Sequence, residues 1–152
     1  METKNTEKVK KLSTLSGLIT GVVMSAFFLL MSFLKLHYII QLHFINLIFV
    51  TAGIYYTLSV AKKDMGKLRY LNGFMLGFKT TYVAVAVFSV FLVAYLTGIN
   101  PAFMQFIKEN SPLGFYMNPW IIAGVIFGEV LSAGVIISLI LILVFEAEPE
   151  TE

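Results

Sequence analysis

Polar side chains inside the apolar segments of this sequence are the residues most able to do chemistry, and Glu129 is foremost among them. It lies in an apolar run that begins near Trp120, and the helical rise of about 1.5 Å per residue places it about 13 Å along that run. The hydrocarbon core of a bilayer is about 30 Å thick, so the carboxyl would lie near its centre. An ionisable group there is costly unless paired, neutral or hydrated. We therefore expect Glu129 to face other helices, either protonated or hydrogen-bonded to Ser132.

Two roles are open for this carboxyl. In the first, Glu129 passes protons or cations along a relay through the membrane. In the second, which we prefer, it is a buried structural group whose hydrogen bonds fix the packing of the helices.

The second apolar run offers polar neighbours for Glu129 on one helical face. Residues on this face recur at spacings of three and four: His43, Asn46, Val50, Gly53 and Thr57. Asn46 would lie about 10 Å below the outer boundary, within reach of Glu129 if the second and fourth runs adjoin. His43 is shallower, so a hydrogen-bonding anchor at the interface is favoured over a proton path. The candidate intramembrane polar site is therefore Glu129, Asn46, His43 and Ser132.

Other catalytic and metal-binding chemistry finds little support in the sequence. The chain has no cysteine, which excludes thiolate nucleophiles and cysteine-ligated metals. His37 and His43 are not spaced to share one helical face as metal ligands. No serine stands on a nucleophile elbow. We expect no enzyme activity, no catalytic residue, no metal, no cofactor and no nucleic-acid partner.

Four apolar runs set the fold class. They cover residues 12–34, 39–61, 74–97 and 120–145, and each exceeds the roughly 20 residues needed to cross a bilayer. With 58% hydrophobic and 13% charged residues, the chain lacks the polar surface of a water-soluble globule. We predict a single all-α transmembrane domain, an integral membrane four-helix bundle built from two transmembrane hairpins.

Basic residues predict the orientation of this bundle, since lysine and arginine accumulate in cytoplasmic loops. Four lysines precede the first run, and Lys62, Lys63, Lys67 and Arg69 follow the second. Both termini should therefore be cytoplasmic in this multi-pass protein. The acidic tail, residues 146–152, is expected to be disordered.

The long outer segment predicts a short helix of its own. Asn100 is a suitable N-cap, and Pro101 suits the first helical position. Apolar residues that follow would lay this helix on the membrane interface. A simple connector is the preferred role, and a docking surface for a partner is the alternative.

Small residues at every fourth position predict helix packing, because close backbone approach drives association in lipid. The glycines of these motifs are Gly17 and Gly21, Gly73 and Gly77, and Gly124 and Gly128. Such motifs serve packing within a chain or between copies, and we expect contacts within the chain.

Several segments resemble an uncharacterised bacterial family, numbered 4199 among the domains of unknown function. The segments are Gly53–Tyr56, the basic loop Lys62–Tyr70, Gly73–Thr81 and Asn100–Phe103. The resemblance implies a small four-helix inner-membrane protein. It brings no established activity, catalytic residue or cofactor to this chain.

The sequence thus favours a structural or accessory subunit that acts through helix–helix contacts in the lipid bilayer. Its partner would be a second copy of the chain or another membrane protein. The alternative is an oligomeric proton- or ion-coupled transporter or channel subunit that uses Glu129.

Overall fold

The computed structural model describes residues 2–34, 43–66 and 68–147, with side chains described from residue 7 onward except at 43, 44, 146 and 147. These residues are helical apart from short connections, and no strand occurs among them. The elements are α1 (Glu2–Phe33), α2 (His43–Met65), α3 (Tyr70–Ala94), a π-helical turn (Tyr95–Ile99), α4 (Pro101–Asn110), a 3-10 turn (Gly114–Tyr116) and α5 (Pro119–Ala147).

Four of these helices are long and apolar enough to cross a membrane. Within the described part of the chain, the candidate spans are Glu7–Phe33, Ile45–Met65, Tyr70–Ile99 and Pro119–Phe145. This confirms the prediction of helices with four apolar segments of membrane-spanning length, which suggest a multi-pass membrane protein.

The helices extend beyond the predicted apolar runs. The first run was predicted to begin at residue 12, whereas α1 begins at Glu2 and carries four lysines on its first turns. The second run was predicted to end at residue 61, whereas α2 continues through Lys62 and Lys63. Lysine is a good helix former, so hydropathy marks the apolar part of a helix and not its ends. Residues 35–42, between the first two helices, and residues 148–152 of the predicted disordered tail lie outside the described residues.

Helix α3 lies at the centre of the bundle, and α1 packs against it at two glycines. A Cβ atom added to Gly17 would lie 2.7 Å from the carbonyl oxygen of Thr80, and one added to Gly21 would lie 2.6 Å from that of Ala84. Only a residue without a side chain allows the two backbones to approach this closely.

Helix α5 packs against the other side of α3 in the same manner. A Cβ on Gly77 would lie 2.5 Å from the Ser138 hydroxyl, and one on Gly73 would collide with the side chain of Ile142. In the opposite direction, a Cβ on Gly134 of α5 would collide with Thr81. Both helices therefore contribute glycines to this interface.

We predict that Gly21→Leu destabilises the bundle by about 1–3 kcal/mol, because the added side chain must push α1 away from α3. Thermal unfolding in detergent measures the loss. Ala26→Leu is the matched control, since Ala26 is exposed on the same helix. Equal unfolding temperatures for the two variants would contradict the close packing of α1 on α3.

Candidate functional site

Glu129 lies on the outward side of α5, and its side chain is exposed. The next residue, Val130, is only 6% exposed and faces the bundle. One residue turns a helix by about 100°, so a buried Val130 directs Glu129 away from α3. The prediction that Glu129 faces the other helices of its own chain was therefore wrong.

Ser132 lies on the same outward side and does not serve Glu129 as a partner. Its hydroxyl donates to the carbonyl oxygen of Gly128 at 2.7 Å, as serines within helices commonly do. Both side chains thus point away from the bundle, and the predicted hydrogen bond between them is not formed.

Gly124 and Gly128, the predicted packing glycines of α5, are also exposed. Outside the backbone of α5 itself, no described atom lies within 4 Å of a Cβ added to Gly124 or Gly128, so no described part of the chain packs there as expected. Helix α5 contacts α3 through Gly134 and Ser138 instead. We call the uncovered surface the open face of α5, made of Gly124, Val125, Gly128, Glu129 and Ser132.

Asn46 is buried, unlike Glu129. It is 7% exposed, and its Oδ1 atom has no hydrogen-bond partner among the described residues. Val50 and Thr57 are buried on the same face of α2. The structure therefore places Asn46 inside the bundle and Glu129 outside it, and does not bring the two together. His43 is the first residue of α2, and its side chain lies outside the described residues.

A pair of threonines occupies the polar interior that was predicted for Glu129. The hydroxyls of Thr57 and Thr80 lie 3.2 Å apart, and Thr80 also donates to the carbonyl oxygen of Leu76 at 2.9 Å. Both threonines are fully buried. Thr57 belongs to the predicted polar face of α2, but its partner on α3 was missed, because a threonine in a helix carries no signal of what lies opposite. Each hydroxyl can satisfy a backbone carbonyl, so the pair is suited to a structural role.

A second polar cluster lies at the end of the bundle that carries α4. The buried Tyr95 hydroxyl is hydrogen-bonded to Ser32 of α1, and the Asn100 side-chain amide donates to it at 3.2 Å. Asn100 Oδ1 accepts from the backbone N–H of Phe103 at 3.1 Å, which is the predicted N-cap of the short outer helix. The Tyr95 ring also meets Phe28 edge to face, with 5.1 Å between the centroids. This cluster ties α4 to α1 and α3.

Basic residues gather at the opposite end of the bundle. The Lys62 ammonium donates to the carbonyl oxygen of Phe145 at 3.0 Å, near the C-terminal end of α5. A cation is favourable there, because the C-terminus of a helix carries a partial negative charge. Lys8 pairs with Asp64 at 2.9 Å. The Lys79 ammonium donates to the backbone carbonyl oxygen of Lys10 at 3.1 Å, so it reaches back toward the start of α1.

Residues that could hold a metal are not grouped in the described part of the chain, where no three His, Asp or Glu side chains cluster.

Residues 15–112 match the family described as Protein of unknown function (DUF4199). The chain belongs to this family.

The DUF4199 match extends from α1 through α4 and ends before α5 begins. Glu129 and the open face therefore lie outside the matched residues. No curated protein and no solved structure matches the chain.

We predict that Asn100→Ala loosens α4, because it removes both the N-cap and the hydrogen bond to Tyr95. Loss of such a cap costs about 1 kcal/mol, which corresponds to roughly fivefold faster opening. Hydrogen exchange of the backbone amides of residues 103–107 measures this change. Asn110→Ala at the other end of α4, where the amide donates only to the Phe106 carbonyl, is the control. Unchanged exchange in Asn100→Ala would contradict the cap.

Proposed function

We propose that this chain is a non-enzymatic membrane subunit that acts through helix contacts, and that the open face of α5 pairs with a second copy of the chain. One observation carries the proposal: an ionisable side chain, Glu129, lies on the outward side of a candidate membrane span beside two uncovered glycines.

The position of Glu129 is unfavourable for a chain alone in lipid. About 15 Å of helix separates Glu129 from the start of α5. The hydrocarbon core of a bilayer is about 30 Å thick, so Glu129 lies near its middle. Acyl chains offer no hydrogen bond, and a carboxyl at this depth is costly unless another protein group meets it. A covering helix removes that cost.

The glycines make such a cover feasible. Gly124 and Gly128 leave a shallow depression on α5, and small residues at this spacing let the backbone of a second helix approach closely. In the same chain, Gly17 and Gly21 accept α3 in this way. The open face thus has the surface that two helices use when they pack in lipid.

A second copy offers the same open face as a partner surface. Two copies inserted in the same direction have parallel α5 helices, and a twofold axis brings each open face onto the other. Glu129 then lies at the depth of the partner's Glu129, and about 4.5 Å along the axis from its Ser132. A protonated carboxyl can donate to either of these groups across the interface.

We further place the basic end, with Lys10, Lys62 and Lys79, at the cytoplasmic side of the inner membrane, because basic residues are retained there. With four spans, both termini are then cytoplasmic. Helix α4, whose Phe103 and Met104 are buried against the bundle, lies at the outer interface.

We predict that Val125→Cys, on the open face, cross-links between copies in lipid vesicles with a short bifunctional maleimide. The chain has no native cysteine, so the product reports this position alone. Val90→Cys is the control, because Val90 is 73% exposed on the outer half of α3 but lies on a different helix face. Adding Gly128→Leu to Val125→Cys should reduce the cross-linked product at least fivefold, since the leucine side chain fills the depression between the helices.

Equal cross-linking at Val125 and Val90 would mean random collision and would contradict the paired state. If Val125 instead cross-links in native membranes only to a different protein, the open face is a contact for that protein and the second copy is excluded.

The alternative function, coupled movement of protons or cations, draws support from the same residue. A carboxyl shared between copies at the membrane centre is an arrangement from which relays are built. In this alternative, Glu129→Gln abolishes the flux, because the amide cannot carry the proton.

Proton flux into vesicles of reconstituted protein decides between the two functions. The subunit proposal predicts the same background leak for the parent and for Glu129→Gln, together with unchanged cross-linking at Val125, because glutamine still hydrogen-bonds. A leak that exceeds empty vesicles in the parent and disappears in the variant would replace the proposal with the alternative.

A further inference from the structure

A groove of about 550 Å³ opens at the basic end of the bundle, between the start of α1 and the first half of α3. Its lining combines two kinds of surface. Lys10, Lys79 and Asn72 supply polar groups, whereas Met75 and Phe78 supply an apolar wall. Its ligand should therefore carry a hydrogen-bonding anion at one end and a hydrocarbon at the other.

The cationic part of the groove is held in place by the fold. The Lys79 ammonium is fixed against the α1 backbone by its hydrogen bond to the Lys10 carbonyl oxygen. An ammonium has three N–H donors, so this bond leaves others for a ligand. Lys10 itself is exposed beside it. Two lysines from different helices thus line the same groove.

No acidic side chain among the described residues lines the groove. Of those described at the basic end, Asp64 is paired with Lys8 at 2.9 Å, and Glu7 is exposed and does not line the groove. The lysines of the groove therefore keep their charge available to an external anion.

The apolar part of the groove lies where acyl chains begin. Lys10 is on the first turns of the candidate span Glu7–Phe33, so the lysines stand at the level of the headgroups. Met75 is 61% exposed on α3, and Phe78 lies on the next turn. An acyl chain descending from a headgroup held by Lys10 and Lys79 would pass along these two side chains.

We infer that this groove binds an anionic phospholipid, with the phosphodiester held by Lys10, Lys79 and Asn72 and one acyl chain lying on Met75 and Phe78. The site is on α1 and α3, and it does not depend on the pairing of α5. Basic residues at the membrane surface favour anionic over zwitterionic headgroups, so the expected ligand is a phosphatidylglycerol-like lipid.

Native mass spectrometry of the full chain in detergent, titrated with phosphatidylglycerol, tests the inference. The double variant Lys10→Gln with Lys79→Gln should bind this lipid at least tenfold more weakly than the parent. The matched control, Lys11→Gln with Lys63→Gln, removes the same charge from two exposed lysines outside the groove and should bind as the parent does. Equal weakening in the two double variants would overturn the site.

Two further arms identify the source of the anion. Inorganic phosphate should bind at least tenfold more weakly than phosphatidylglycerol, and Met75→Ser should weaken the lipid alone. Phosphate that binds as tightly as the lipid would overturn the lipid as occupant, and phosphatidylcholine that binds as tightly would overturn the role of the lysines. Lys79→Arg keeps the charge and should retain binding, which separates loss of the site from misfolding; its failure to bind in a folded protein would also count against the site.

Discussion

The approach of α1 to α3 at Gly17 and Gly21 is the contact on which the rest of the bundle depends. In lipid, no hydrophobic force gathers the helices, so they associate through van der Waals contact and through hydrogen bonds. The carbonyl oxygens of Thr80 and Ala84 lie close to the positions that Cβ atoms on Gly17 and Gly21 would occupy. The two backbones are therefore in direct contact. Helix α3 becomes the shared support of α1, α2 and α5.

The central position of α3 determines what is left uncovered. Helix α5 reaches it through Gly134 and Ser138, and a helix that is packed along one side must present its other side to the surroundings. Glu129 falls on that other side because Val130 falls on the packed one. A carboxyl in this place has no partner among the described residues of its own chain, and the proposed pairing with a second copy would supply one. At the basic end the same geometry leaves lysines of α1 and α3 side by side over an apolar wall.

Much of the fold could be predicted from the sequence because it rests on local properties. Apolar length marks the four spans, and the Asn100–Pro101 pair marks the start of α4. The positions of the helix ends were less accessible, since Lys62 and Lys63 continue α2 without any apolar signal.

The candidate site was predicted less well because it depends on which side of α5 meets α3. Two stripes of small residues run along this helix, one with Gly124 and Gly128 and the other with Gly134 and Ser138. Helical periodicity identifies both stripes and cannot tell which of them packs within the chain. The prediction assigned the packing within the chain to the stripe of Gly124 and Gly128, and therefore placed Glu129 on the inner side of α5. It also suggested a hydrogen bond to Asn46, which the fold does not allow. The Tyr95 cluster was missed for a related reason, since Ser32 reaches Tyr95 only in the folded chain.

The distance between spin labels on Ser132→Cys in two copies, measured in lipid vesicles, tests the central claim most directly. Pairing through the open face predicts one narrow short distance, consistent with helix axes separated by ~10 Å, that persists when lipid is added in excess. Absence of dipolar coupling between copies, or coupling that falls with lipid dilution as random collision requires, would contradict the account.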